Sequence, residues 1–319
     1  MDIPRNRLLG LPPPSTVCAM SLGRRAFLLG LGAAGCSRTE RSAKPLPSVS
    51  SSAVPLGGAA LIRTDTWVMG DYRAVIVMPS RTERVPVVFA LHGRGEAVKP
   101  PSEGVLGWPR DYALVRAMER VFSPPLTEAD LEGFVDRQRL DGLNARLRSR
   151  PFGGLVVVCP WVPDLDPHGP EVRGYGEFLV GALLPKVQKE LPVVVGATGI
   201  DGVSLGGAVA LRVGLTHPEV FRAVGSLQPA LRDSTTRELV ELAVAARKKN
   251  PAMHLRLLTS HDDYFRKTIE RQSAAWRAAG IAHDYADIPG PHDYAFNRGP
   301  GSIELLTWHD NVLREPISP

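Results

Sequence analysis

The chain has 319 residues, of which 44% are hydrophobic and 22% charged, a balance typical of a globular protein with one or two domains. Residues 1–35 carry a net charge of +3 and residues 36–58 carry +2, so the overall +5 leaves the chain neutral from Ala59 onward. A neutral domain lacks the basic surface that binds nucleic acid, and we expect no nucleic-acid partner.

Residues 1–35 are predicted to be an export leader rather than part of the fold. Arg24 and Arg25 precede an apolar run of about ten residues, too short to anchor in a bilayer, which ends in small residues. Arg-Arg-x-Phe-Leu resembles a twin-arginine signal, and Ala-Gly-Cys, ending at Cys36, resembles a bacterial lipobox. We therefore expect lipid on Cys36 and a membrane association at the cell envelope by this anchor alone. A plain secretory signal with an incidental cysteine is the alternative.

Residues 36–58 are rich in serine and proline, which predicts a tether that buries no core. The remaining segment, 59–319, is the predicted catalytic domain and contains a single cysteine, Cys159, which excludes an internal disulfide there. Cys159 ends an apolar strand and is interpreted as an inert buried thiol. No Cys and His cluster has metal-ligand spacing, and we expect neither a metal nor a cofactor.

Strands and helices alternate from Ala59 onward. Strands are predicted at 61–68, 72–78, 85–91, 154–159, 198–203, 221–227, 253–259 and 282–288. Helices are predicted at 174–191, 205–215, 235–249, 264–279 and 302–313. This order predicts an α/β fold with a mostly parallel central sheet and helices on both faces. Functional loops of such a sheet lie at the carboxyl ends of its strands.

One connection, between the strands at 85–91 and 154–159, is far longer than such connections usually are. Thr127 with Asp130 three residues later predicts a helix start, and apolar residues from 131 to 147 recur with helical spacing. We predict a helical insertion over about 96–150. It should lie as a flap over the carboxyl ends of the strands, near Ser204, which is the candidate nucleophile.

The candidate nucleophile is Ser204, in Gly-Val-Ser-Leu-Gly at residues 202–206. A predicted strand enters this pentapeptide and a predicted helix leaves it, as in the nucleophile turn of α/β-hydrolases. An oxyanion hole needs backbone donors, for which we assign the N–H groups of Leu205 and of Arg94, in the glycine-containing loop after the third strand. A glycine-rich turn with an exposed serine is the alternative.

A serine hydroxyl needs a base, and in this fold the acid and then the histidine follow the serine along the chain. His292 lies in the loop after the last strand, whereas the other late histidines, His283 and His309, fall inside a strand and a helix. Asp262 and Asp263 both follow the preceding strand and both are candidate acids.

Three aromatic residues, Trp161, Tyr264 and Tyr294, each fall just past a predicted strand. They are candidates for lining the substrate pocket, with ordinary packing as the alternative.

The chain from about Val85 onward resembles the esterase family that includes esterase D, feruloyl and acetylxylan esterases and enterochelin esterase. The resemblance is carried by residues 174–185, 201–207 and 217–221, and by Pro-Gly-Pro-His-Asp at 289–293, where Pro291 replaces a glycine. Residues 260–265 resemble the family's Gly-x-x-Asp-Pro-Phe turn, which makes Asp263 the acid and leaves Asp262 as the alternative. Residues 96–150 depart from the family.

The motifs and the resemblance predict an exported serine hydrolase that cleaves a small-molecule or glycan ester through an acyl-enzyme on Ser204. An acyltransferase with the same catalytic residues and an inactive surface binding protein are the alternatives.

Overall fold

The computed structural model describes residues 61–315. The predicted leader, the tether and Cys36 lie outside the described residues, and the predictions made for them stay predictions. Within the described segment, no helix is long and apolar enough to cross a membrane.

Eight strands form one sheet: β1 (Ile62–Met69), β2 (Tyr72–Pro79), β3 (Val85–Leu91), β4 (Val156–Pro160), β5 (Val193–Gly202), β6 (Ala223–Val224), β7 (His254–Asp262) and β8 (Asp284–Pro291). Their order is β1-β2-β4-β3-β5-β6-β7-β8. β2 is antiparallel to β1 and β4, and every other neighbouring pair is parallel. The predicted mostly parallel sheet is confirmed.

Helices cover both faces of this sheet. In chain order they are α1 (Arg94–Ala97), α2 (Pro101–Gly104), α3 (Leu114–Phe122), α4 (Arg137–Ser149), α5 (Glu171–Phe178), α6 (Leu184–Glu190), α7 (Leu205–Thr216), α8 (Thr236–Lys249), α9 (Arg266–Ala278), α10 (Tyr294–Phe296) and α11 (Ser302–Leu313). A π-helical turn, Leu179–Leu183, joins α5 to α6 within the helix predicted at 174–191.

The sheet separates two cores because side chains alternate along each strand. Phe89 and Leu91 of β3 point into one core, with α5 to α9. Val88 and Ala90 point into the other, with α3, α4 and α11. Both faces of β3 are therefore apolar, which explains the continuous hydrophobic run that predicted it.

One predicted strand, at 221–227, is much shorter in the structure. β6 contains two residues, and Leu227 then makes only isolated bridges to Val203 and Leu258. The buried carboxylate of Asp201 packs directly against Gly225, where a side chain would collide with it. The backbone leaves the regular ladder at this point and forms a loop beside the end of β5.

The insertion is helical, but its longest helix begins later than predicted. Thr127 and Asp130 form the predicted capping box, which encloses one 3₁₀ turn, Glu128–Leu131. That turn ends at Glu132, which has a left-handed backbone with φ of 52°. α4 starts only at Arg137, where the Asp136 side chain accepts the backbone N–H of Arg139 at 2.8 Å.

Helices α3 and α4 do not form the predicted flap. They pack on a face of the sheet beside α11. Met118 of α3 is fully buried in the same core as Ile303 of α11. Arg139 of α4 pairs with Glu304 of α11 at 2.6 Å. These helices are the layer that covers one sheet face, because their apolar sides need that burial.

Candidate active site

The backbone at Ser204 forms a strained turn between β5 and α7. Ser204 has φ of 57° and ψ of −117°, a combination that non-glycine residues rarely adopt, and its N–H donates to the Leu227 carbonyl at 3.0 Å. A Cβ at Gly202 would collide with the Gly206 backbone, and a Cβ at Gly206 would collide with the Leu91 carbonyl. The two glycines of the motif therefore let strand and helix pass closely, and the serine stands at the apex.

A buried carboxylate and an imidazole meet at the ends of β7 and β8. Nδ1 of His292 donates to Oδ1 of Asp263 at 2.8 Å, since an ionised carboxylate can only accept. Asp263 also accepts from Thr259 Oγ1 at 2.8 Å and from the Phe265 N–H at 2.9 Å. With Nδ1 protonated, Nε2 of His292 is left as an acceptor, which is the tautomer that a general base requires.

Asp262 takes a different position from its neighbour. It is exposed at the end of β7, whereas Asp263 is 5% exposed. Of the two candidate acids, the structure brings only Asp263 to His292.

One cavity of about 570 Å³ lies between the serine and the residues that follow Asp263. Ser204, Leu205, Tyr264 and Phe265 line it. The Tyr264 ring lies on the His292 ring with centroids 4.1 Å apart. Tyr264, a predicted pocket residue, therefore touches both the cavity and the imidazole.

The remaining walls of the cavity come from the loops after β4 and β6, at residues 164–168 and 230–232. His168 Nε2 donates to the Ala230 carbonyl at 2.9 Å, which holds the two loops together. Burial lowers the pKa of His168, so this imidazole is neutral at pH 7. Residues 100–150 line no part of the cavity, so the insertion does not cover it in the way that the sequence predicted.

The two predicted backbone donors begin helices. Leu205 is the first residue of α7 and Arg94 is the first of α1, so neither N–H has an acceptor within its helix. Gly93 lies beside the serine, since a Cβ placed on it would be 3.7 Å from Ser204 Cβ. The Arg94 side chain lines the cavity and pairs with Asp164 at 3.0 Å.

Two of the predicted pocket residues, Trp161 and Tyr294, make their contacts outside this cavity. Trp161 packs against Gly104, where a Cβ would approach its ring to 2.8 Å. The Tyr294 hydroxyl donates to the buried Glu96 carboxylate. Neither residue lines the cavity. Both follow strands, but their side chains contact Gly104 and Glu96, which lie outside the cavity lining.

The two other histidines that follow Ser204 and the candidate acids, His283 and His309, make hydrogen bonds away from the cavity. His309 Nε2 donates to the buried Asp201 carboxylate at 3.0 Å, and burial lowers the pKa of this histidine. His283 Nε2 accepts from the Ser273 hydroxyl at 2.8 Å. Neither imidazole lines the cavity.

Burial raises the pKa of the Cys159 thiol, as expected for an inert cysteine. Among residues 61–315, no group of three or more His, Cys, Asp and Glu side chains could hold a metal ion.

His92 and Gln228 support the site and carry no catalytic motif in the sequence. His92 Nδ1 donates to the Gly93 carbonyl at 3.0 Å, and its Nε2 accepts the Val162 N–H at 2.9 Å. Burial lowers the pKa of His92 to about 4, so the ring is neutral at pH 7. The Gln228 side chain donates to the Pro291 carbonyl at 2.9 Å and holds the loop that carries His292. Only His92 had a local signal, its place directly after an apolar strand.

The chain is similar, in part of its sequence and in its fold, to known esterases and hydrolases. Residues 160–287 match the family model described as Putative esterase. No curated protein sequence matches the chain. Among solved structures, a ferulic acid esterase superposes with a TM-score of 0.58 at 16% identity, covering 79% of this chain and 98% of its own.

Two Staphylococcus aureus proteins are also similar. The fluorophosphonate-binding serine hydrolase FphF has a TM-score of 0.55 and 13% identity, covering 80% of this chain and 100% of its own. The S-formylglutathione hydrolase FrmB has a TM-score of 0.52 and 14% identity, covering 81% of this chain and 99% of its own.

At these identities the structural matches show the fold, and the family match adds the activity class. The resemblance predicted from the motifs is confirmed. The chain is a carboxylic-ester hydrolase of the α/β-hydrolase fold, and its residues 160–287 match the family model described as Putative esterase.

Proposed function

We propose that the chain cleaves esters through an acyl-enzyme on Ser204, with His292 as general base and Asp263 as the acid that orients it. The observation that carries this proposal is the Asp263–His292 hydrogen bond of 2.8 Å beside the cavity that contains the strained Ser204 turn. The serine, the acid and the base follow β5, β7 and β8, which are parallel strands of the same sheet and so end at the same edge.

In the acylation step, Ser204 Oγ forms a bond to the ester carbonyl carbon while its proton passes to Nε2 of His292. The carbonyl π electrons move onto oxygen, and the N–H groups of Leu205 and Arg94 stabilise the resulting oxyanion. Asp263 stabilises the imidazolium. The C–O bond to the alcohol then breaks, and the departing oxygen takes the proton from His292.

In the deacylation step, water replaces the alcohol. His292 takes a proton from the water as its oxygen attacks the acyl carbon, and the second tetrahedral intermediate releases Ser204 Oγ with return of that proton. The free carboxylic acid leaves the cavity. An alcohol that takes the place of water would make the same site an acyltransferase, so the acceptor decides between the two reactions.

We expect a fluorophosphonate probe to label the protein at Ser204 and to abolish hydrolysis in proportion to labelling. With a para-nitrophenyl ester and an added alcohol acceptor, we expect the acyl group to appear mainly as free acid, because water is in large molar excess over the added alcohol. Peptide mass spectrometry and product chromatography measure the two results. Labelling of a different residue would contradict the nucleophile, and an alkyl ester as the main product would establish the acyltransferase instead.

The substrate class belongs to the proposal as well. The cavity has charged side chains in its walls, with Arg232 paired to Asp166 at 3.2 Å, and an exposed aromatic face on Tyr264. Exposed ion pairs are weak, so a substrate's polar groups can compete for them. We propose a small-molecule or glycan ester as the substrate, and a panel of acetylated and feruloylated glycans beside para-nitrophenyl esters tests it.

We also propose that the enzyme is exported and anchored by lipid on Cys36, on the strength of the twin-arginine-like and lipobox-like patterns in the sequence. We expect the mature chain to begin at a lipid-modified Cys36 and to fractionate with membranes. Cys36→Ser should release the protein from membranes, whereas Cys18→Ser, which lies inside the predicted leader, should not. A Cys36→Ser protein that stays in the membrane fraction without modification would rule out the anchor.

A further inference from the structure

A buried carboxylate lies next to the proposed oxyanion loop. Glu96 belongs to α1, two residues after Arg94, and is 1% exposed. One of its oxygens accepts the Tyr112 hydroxyl and the other accepts the Tyr294 hydroxyl. Lys99 approaches the same carboxylate at 3.5 Å. Burying a carboxylate is unfavourable unless such donors surround it, and here each oxygen has one.

The first of these tyrosines connects Glu96 to the oxyanion loop, residues 92–95. The Gly93 N–H donates to the Tyr112 hydroxyl at 3.2 Å, and that hydroxyl donates onward to Glu96. Burial and the neighbouring Glu96 raise the pKa of Tyr112 well above its ordinary value, so it stays protonated and able to donate. The Gly93 peptide is thereby fixed, and the next N–H along the chain is that of Arg94.

The second tyrosine connects Glu96 to the histidine loop, residues 289–294. Tyr294 follows His292 by two residues, and its hydroxyl reaches Glu96 across Gly95, where a Cβ would lie 3.0 Å from that hydroxyl. Its ring also packs on Tyr112 with centroids 5.7 Å apart. A single carboxylate therefore receives one hydrogen bond from each of the two loops that carry the proposed catalytic groups.

We propose that Glu96 is a positioning residue, which sets the separation between the His292 base and the Arg94 N–H by holding the oxyanion and histidine loops together through Tyr112 and Tyr294. This inference rests on the proposed function of Ser204 and His292. Both groups must be aligned on the same tetrahedral intermediate, and a small displacement of either lowers the rate of the chemical step more than it lowers substrate affinity.

The test measures kcat and KM for Glu96→Gln, Tyr112→Phe, Tyr294→Phe and the double tyrosine variant. Rates are expressed per active site titrated with a fluorophosphonate, so that misfolded protein does not count. Two matched controls are available. Glu103→Gln changes an exposed glutamate of the same segment, and Tyr285→Phe removes a hydroxyl that has no hydrogen-bond partner among the described residues.

We expect kcat to fall by roughly tenfold in each tyrosine variant and on the order of 10²-fold in Glu96→Gln, with KM changed by less than about threefold. The double tyrosine variant should lose about as much as Glu96→Gln, because both tyrosines act through one carboxylate. Both controls should keep the wild-type kcat.

A purely structural role would lower the melting temperature and leave kcat per titrated site unchanged, and this result would overturn the proposal. A rise in KM at constant kcat would overturn it too. If Glu96→Gln does not fold, the two tyrosine variants, which keep the ring packing, decide the question alone. Normal hydrolysis by Ser204→Ala would instead show that the proposed function itself is wrong.

Discussion

Replacing Ser204 with alanine should lower kcat for ester hydrolysis by about 10⁴- to 10⁶-fold, and His292→Ala should cause a loss of the same order. In the proposed mechanism the serine supplies the oxygen that forms the acyl-enzyme, and without the imidazole no group accepts its proton. The double variant should be little worse than either single one, since the two residues act in the same step.

The folded state should survive both substitutions, which separates chemistry from stability. Alanine removes only the hydroxyl at Ser204, and the turn keeps its positive φ. Ser149→Ala, in α4, and His254→Ala, at the opposite end of β7 from Asp263, are the matched controls and should keep wild-type kcat. Circular dichroism and thermal unfolding report folding. Near-normal turnover by purified, folded Ser204→Ala or His292→Ala would refute the assignment.

The second large expected loss of kcat concerns two adjacent aspartates, Asp262 and Asp263. Asp263→Asn should lower kcat by about 10⁴-fold, because an amide nitrogen beside Nδ1 of His292 favours the tautomer that cannot act as base. Asp262→Asn should leave kcat close to wild type, since Asp262 is exposed and only Asp263 bonds to the imidazole. The two variants change one carboxylate each in the same turn and so control for one another.

Steady-state kinetics on both aspartate variants, with active sites titrated, shows which aspartate the catalysis needs. The hydrogen bonds from Thr259 and from the Phe265 N–H to Asp263 explain why the loss should concern activity rather than folding, since an asparagine oxygen can still accept one of them. If the Asp262 variant is the inactive one, the acid has been assigned to the wrong residue.

The order of strands and helices was determined by local patterns in the sequence. Continuous apolar runs such as β3 and β4 are predictable because both of their faces are buried. The turn at Ser204 is predictable because its chemistry needs small residues at fixed offsets, and Gly202 and Gly206 occupy sites where a side chain would collide with backbone. His292 follows from chain order and strand position.

The position of the insertion was decided by tertiary packing. An apolar helix face such as that of α3 predicts burial, but it does not say which apolar surface will cover it. The partner is α11, almost two hundred residues further along the chain, and this contact draws α3 and α4 onto a sheet face instead of over the cavity.

The burial of Glu96 is the clearest example of a contact that the sequence does not predict. In the sequence Glu96 is one charged residue after a glycine-containing loop, where a solvent-exposed position is the ordinary expectation. Its burial depends on hydroxyls from Tyr112 and Tyr294, which are 16 and 198 residues away along the chain. The sequence alone determines the fold class and the candidate serine and histidine, because local patterns identify the strands, the helices and the serine turn, and their order along the chain then points to the histidine. Only the tertiary structure reveals a buried carboxylate between two loops, because its donors come from separate parts of the fold.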